Sequence, residues 1–173
     1  FFIAAGFYKP HLPFVAPKQY WDLYDHDEIH CSDNPGLPEG AADFMYNWSE
    51  IWAYGIESGD LFAKDRPPTK EQARNMIHAY YAAVSFIDAQ IGRMLSKLDE
   101  LGLRDNTAVV IWGDHGFHLG DHRRWAKHTQ FENAMRSPLL VRFPDRQKAG
   151  VTPPALAETV DIYPSLCDYC SLD

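Results

Sequence analysis

Cysteine is scarce in this chain: Cys31, Cys167 and Cys170 are the only three among 173 residues. A small, odd number is no disulfide framework. Cys167 and Cys170 form a lone CxxC near the C-terminus. Without a second pair it is a poor zinc site, and it lacks the strand-helix-strand setting of a redox motif. It reads as two small apolar residues on a helix. Basic side chains are also in the minority, 16 against 24 acidic ones, for a net charge of −8. That balance argues against a general nucleic-acid or anionic-membrane surface. No apolar stretch approaches the ~20 residues that span a bilayer. There is no internal repeat and no low-complexity tract. The chain opens Phe1-Phe2-Ile3 without methionine, and we read it as a piece of a longer polypeptide, so the lack of a signal peptide says nothing about compartment.

What is present is a globular composition, 46% apolar over a length that suits one domain. Phe1–Gly6 reads as a short buried strand. Two prolines three apart, Pro10 and Pro13, forbid helix and favour an ordered extended loop over 7–14. Residues 15–68, rich in Pro, Gly, Asp and aromatics, form a long irregular excursion, which in a compact domain is usually functional. Thr69 to Gln72 spells a capping box. From there Met76, Tyr80, Ala83, Val84, Ile87, Ile91, Leu95 and Leu98 recur at three- and four-residue steps. They predict an amphipathic helix of about 30 residues, stopped by Gly102. Strands are expected at 107–112 and 138–143. A last helix begins near Thr159, where Pro164 is tolerable only in its first turn. The order predicts an α/β fold with a mostly parallel or mixed central sheet flanked by helices.

The chemistry concentrates in residues 109–128. The apolar run Val109-Val110-Ile111-Trp112 gives out at Gly113-Asp114-His115-Gly116. A carboxylate and an imidazole stand together at a strand end, where α/β sheets bind ligands. His115, His118, His122 and His128, half of the eight histidines, share one short stretch. Such clustering points to metal or catalytic chemistry. Asp114 and His115 also fit a turn cap and a buried donor, but the strand-end position and the flanking glycines favour a site. Lys127 alone would be an ordinary surface lysine; Trp125 and Ala126 before it suggest that it is held against protein. Lys9-Pro10-His11 follows the first strand as Asp114-His115 follows the later one. If those strands run parallel, both loops open on one sheet edge. An anionic ligand would need a local positive pocket, for which Lys9, His11, Arg123, Arg124 and Lys127 are the available groups. Arg123-Arg124 otherwise reads as a solvated pair. His78 reads as a helix-face residue, and Asp88 as a buried cap or an acid behind the site. Trp21, Tyr24, Trp48, Trp52 and Tyr54 either line a substrate cleft or simply pack.

Gly113-Asp114-His115-Gly116, Leu119-Gly120-Asp121-His122 and Trp125-Ala126-Lys127 together resemble the C-terminal metal-site block of type I sulfatases, in the alkaline-phosphatase-like superfamily. His in place of the usual Asn after the metal-binding Asp, the run Gly6–Phe14, and Tyr80–Leu95 are most similar to the iduronate-2-sulfatase branch. Glu158–Leu166 is also sulfatase-like, so the resemblance spans nearly the whole chain. It implies that residues 1–173 are the C-terminal part of a single sulfatase catalytic domain. It further implies that Asp114 and His115 are calcium ligands, with His115 bound either to metal or to a sulfate oxygen. Lys127 and His11 would contact the sulfate, and one of them would help protonate the leaving oxygen. Lys9, Arg123 and Arg124 would serve substrate binding. The family's nucleophile is a formylglycine made within Cys-x-Pro-x-Arg. None of the three cysteines opens that pattern, and the N-terminal pair of metal-binding Asp residues is absent. The N-terminal half of the same protein is therefore the expected partner. The implied substrate is a sulfated uronic acid or glycosaminoglycan-type sugar, and the implied setting periplasmic or secreted. A phosphate or phosphonate ester hydrolase, or a non-catalytic fragment, are the alternatives.

Overall fold

The computed structural model describes residues 1–40, 42, 51, 68–145 and 150–172. Its longest element follows from local chemistry. Thr69 caps helix α2 (Lys70–Glu100); α1 (Lys18–Trp21) is a single helical turn earlier in the chain. The Thr69 hydroxyl accepts from Gln72 N at 3.2 Å, and the Gln72 side chain accepts from Thr69 N at 2.8 Å, which completes the capping box. At the far end Gly102 takes φ +67°. There Leu103 N donates to Leu98 O at 2.9 Å and Gly102 N to Asp99 O at 3.0 Å. This is the Schellman closure that a left-handed glycine permits.

α2 buries Ile77, His78, Ala82 and Ala83. His78 is therefore more than the helix-face residue expected. Its ring stacks on Trp21 at 3.6 Å between centroids. Its Nε2 donates to Trp21 O at 2.9 Å, and its Nδ1 lies 3.0 Å from Nδ1 of His26. A stacked, doubly bonded imidazole packs where a helix face alone would suggest solvent. Asp88 is exposed, so its expected role as a buried acid is not met.

Strands β1 (Val109–Trp112) and β2 (Leu139–Arg142) form as expected, with the four-residue helix α3 (Glu132–Met135) between them. They pair antiparallel, Val109 opposite Arg142 and Trp112 opposite Leu139. Within the mostly parallel or mixed sheet that was expected, this pair is an antiparallel one. A parallel pair needs a crossover connection, usually a helix that returns the chain to the starting edge. Here a loop and one helical turn bring it straight back. The strand expected at Phe1–Gly6 does not form: Phe1, Phe2 and Ile3 are 84%, 83% and 72% exposed. A strand needs a neighbouring edge, and the described residues place none beside it. Trp112, Leu140 and Val141 are likewise exposed, because an apolar run encodes a preference for burial without supplying the cover. The last helix, α4 (Ile162–Tyr169), follows a single 3₁₀ turn at Thr159–Asp161 and holds Pro164 in its first turn. All three cysteines are free thiols. No helix among the described residues is long and apolar enough to cross a membrane.

The core positions the site. Leu12 from the proline loop, Ile29, Ile51, Ile77 from α2, and Trp125 from the histidine-rich loop form one buried cluster, with Phe14, Phe117 and Leu119 against it. Phe14 meets Phe117 edge-on at 5.6 Å and Tyr80 at 5.3 Å. Two loops far apart in sequence are thereby pinned to the same stretch of helix. Residues 41, 43–50 and 52–67 of the expected excursion at 15–68 lie outside the described residues, Trp48, Trp52 and Tyr54 among them. Trp21 and Tyr24 lie within them and pack on α2.

Candidate active site

The first loop is shaped by its own lysine. Lys9 Nζ donates to His11 O at 3.1 Å and to Pro13 O, and it lies 5.3 Å from the centre of the Tyr8 ring. Partial burial pushes its amine below the ordinary lysine range. Leu12, 4% exposed, anchors the turn in the core. His11 Nδ1 sits 2.9 Å from Leu12 O. A carbonyl only accepts, so Nδ1 carries the proton and Nε2 presents a lone pair.

The second loop starts where β1 ends. Gly113 N donates to Pro138 O at 3.0 Å, and Gly116 N to Ala134 O at 2.7 Å. Gly116 has to be glycine, because a Cβ there would lie 2.1 Å from Asn133 O. Gly116→Ala is therefore expected to force the loop off α3 and cost about 1–3 kcal/mol, the range for overpacking; urea denaturation of the full-length protein measures it. Between the glycines, Asp114 Oδ1 accepts from His115 N at 3.1 Å. His115 Nδ1 donates to Gly116 O at 2.7 Å, which leaves Nε2 beside Asp114 Oδ2 at 3.5 Å. Asp114 stays exposed, while His115 is partly covered.

The loop then folds back on itself. His118 N donates to Ala126 O at 2.9 Å, and Gly120 N to Arg124 O at 2.8 Å. Gly120 sits at φ +106° against the Trp125 ring, while His122 and Arg123 hold φ +52° and +60°. Consecutive left-handed residues other than glycine are uncommon and need surrounding structure to hold them. Here they split the arginine pair. Arg123 stays in solvent, whereas Arg124 is 4% exposed with its guanidinium 5.2 Å from the Phe131 ring centre. The solvated pair expected for these residues is thus corrected at Arg124.

His118 is fully buried, with Nε2 2.8 Å from Thr129 Oγ1. Burial first, then the nearby Arg124 charge, pulls its imidazole down to about 4. The unfolded chain takes up that proton near the ordinary value of about 6.5. The stabilisation from the neutral ring is therefore complete above pH 6.5 and is lost as pH falls from there toward 4. The urea midpoint should decline over that window, and His118→Gln should flatten the decline.

The buried pair Trp125 and Ala126 delivers Lys127 to the first loop. Lys127 Nζ lies 2.8 Å from His11 Nε2, across 116 positions of sequence. With His11 Nδ1 holding the imidazole proton, the ammonium donates into the lone pair. The outcome is a cation fixed against a neutral imidazole, a pair that can hold an anionic oxygen and exchange one proton with it. The structure brings together His11 with Lys127, and Asp114 with His115. Lys9 faces backbone carbonyls of its own loop. Among the described residues no group of three or more His, Cys, Asp or Glu could hold a metal ion. Calcium takes six to eight oxygens, so Asp114 and His115 fit only as part of a ligand set.

Sequence reasoning gave no role to the polar hub formed by Ser32, Asp121 and Asn133. Asp121 Oδ1 accepts from Ser32 Oγ at 2.7 Å and Oδ2 from Asn133 Nδ2 at 3.2 Å. The three line a cavity of about 300 Å³ together with Phe117 and Tyr81. The hub joins partners 89 and 12 positions apart, which no spacing rule links.

The chain belongs to the sulfatase family: the family model, described as Sulfatase, matches residues 1–171. It is 36% identical to human iduronate 2-sulfatase over 148 residues, 84% of this chain and 27% of that protein. It is 34% identical to a sulfatase of Formosa agariphila over 178 residues, 99% of this chain and 32% of that one. A phosphonate monoester hydrolase structure from Silicibacter pomeroyi superposes with a TM-score of 0.71 at 28% identity, over 95% of this chain and 32% of that chain. The fold is thus that of alkaline-phosphatase-like hydrolases, and the chain spans about a third of the length of the relatives it matches.

Proposed function

We propose that the polypeptide carrying this chain hydrolyses sulfate esters, and that its substrate is a sulfated uronic acid or related glycosaminoglycan-type sugar. Residues 1–173 would be the C-terminal part of its catalytic domain. The observation that carries the reading is the Lys127–His11 contact of 2.8 Å. It fixes a cation against the first loop, on the same 113–128 loop that carries the strand-end pair Asp114-His115. Lys127 would donate to a sulfuryl oxygen and stabilise the charge that develops there. One of the ammonium protons not bonded to His11 would be passed to the leaving sugar oxygen, leaving Lys127 as the neutral amine, with His11 holding it in line. Asp114 and His115 would be this chain's share of the calcium ligands, and calcium when bound neutralises sulfate charge. The formylglycine nucleophile and the remaining ligands would come from the N-terminal half of the same protein. Lys9 would keep the first loop in shape for the substrate, and Arg123 would face a sugar acid from solvent, with Arg124 supporting the loop behind it. The similarity to iduronate 2-sulfatase supports the choice of a sulfated uronic acid.

Phosphonate ester hydrolysis is a second reading, favoured by the structural likeness to phosphonate monoester hydrolases. Turnover of a fluorogenic sulfate ester and of the matching phosphonate monoester by the full-length protein separates the two. Faster sulfate release supports the proposal. A clear preference for phosphonate, or no sulfate turnover with formylglycine confirmed by mass spectrometry, rejects it.

A further inference from the structure

We propose that Asp121 is a positioning residue for His115, acting through Asn133 and Gly116; this rests on the reading that the 113–128 loop carries the reacting groups. The path is a series of contacts with little slack. The Asp121 carboxylate accepts from Asn133 Nδ2 at 3.2 Å on one oxygen and from Ser32 Oγ at 2.7 Å on the other. Asn133 is thereby tied to the segment at 32–34, which is also held by His122 N donating to Asn34 O at 2.7 Å. The backbone of Asn133 is the surface on which Gly116 rests, so close that a Cβ would meet its carbonyl at 2.1 Å. The next carbonyl, Ala134 O, receives Gly116 N at 2.7 Å. Gly116 O in turn accepts the proton of His115 Nδ1 at 2.7 Å.

This last bond fixes the tautomer. With the proton on Nδ1, Nε2 offers its lone pair on the side where Asp114 Oδ2 lies. If Asn133 moves, Gly116 loses its seat, its carbonyl turns, and Nδ1 is no longer the favoured site for the proton. Asp121 touches neither substrate nor reacting atoms on this path. Its effect is on where the His115 lone pair points. Loss of such a supporting partner typically costs 10–100-fold in metal affinity or activity.

The test uses the full-length protein with ¹⁵N-labelled histidine. Two quantities are read: the protonated ring nitrogen of His115, assigned by loss of its signals in His115→Gln, and calcium affinity by calorimetry. The wild type should show His115 protonated on Nδ1. Asp121→Ala should give a mixture of tautomers and a 10–100-fold weaker calcium affinity. Asn133→Asp, which faces two carboxylates, should do the same and serves if Asp121→Ala does not fold. Asp121→Asn combined with Asn133→Asp reverses donor and acceptor and should restore both quantities. Variants that lower the melting temperature while the tautomer and the affinity stay as in the wild type overturn the proposal, since the hub would then be structural only. Failure of the double exchange to restore the tautomer overturns it as well. The tautomer readout does not depend on sulfate chemistry, so a protein that turns over no sulfate ester would defeat the functional reading and still judge Asp121.

Discussion

Lys127→Ala in the full-length enzyme is expected to lower kcat on a sulfate ester by about 10²–10³-fold, the cost of losing one preorganised donor at a developing charge. KM should change far less, because the ammonium acts mainly on charge that appears in the transition state. The structure explains why one side chain should count for so much. Trp125 at 1% exposure and Ala126 at 4% fix the backbone just before it. His11 Nε2, 2.8 Å away, fixes its tip. A lysine held at both ends needs little rearrangement when charge develops. Calcium affinity should be unaffected, as Lys127 brings no ligand oxygen. Steady-state kinetics with parallel calorimetry checks both halves of the expectation.

Asp114→Asn should do the reverse. The substitution keeps shape and removes an anionic oxygen, and calcium selects hard, charged oxygen ligands. Affinity should fall by at least the 10–100-fold that loss of an outer partner costs, and turnover should recover in part at high calcium. The Asp114 carboxylate is exposed and, among the described residues, accepts a hydrogen bond from the adjoining His115 N, so little besides metal binding should change. His115→Ala then separates that residue's two possible roles. Weaker calcium binding makes it a ligand; slower turnover at unchanged affinity makes it a sulfate contact.

Local signals were the legible ones. The helix at Lys70–Glu100 was readable at both ends, because the Thr69-Gln72 box and the left-handed Gly102 are chemistry within a few residues of each other. Strands at Val109–Trp112 and Leu139–Arg142 were readable as apolar runs. Their antiparallel pairing was not, because direction depends on how the connection returns. The run Phe1–Gly6 has strand composition and no neighbouring edge among the described residues. In the site, Asp114-His115 stood out through adjacency at a strand end. The meeting of Lys127 with His11 was legible only as two loops of matching chemistry and through the family resemblance, since no periodicity spans 116 residues. The burial of Arg124 hangs on two left-handed residues, His122 and Arg123, that no propensity favours. The Asp121 hub depends on side chains from three separate segments.

The central claim is that His11 and Lys127 act as one unit on the sulfate ester. A double-mutant cycle on kcat/KM for a fluorogenic sulfate ester tests it most directly, with His11→Ala, Lys127→Ala and the double variant measured in the full-length enzyme. Residues that share one function are strongly non-additive. The double variant should therefore be nearly as active as the weaker of the two single variants. If the two losses multiply, or if neither substitution slows turnover, the pair is not the reacting end of this site.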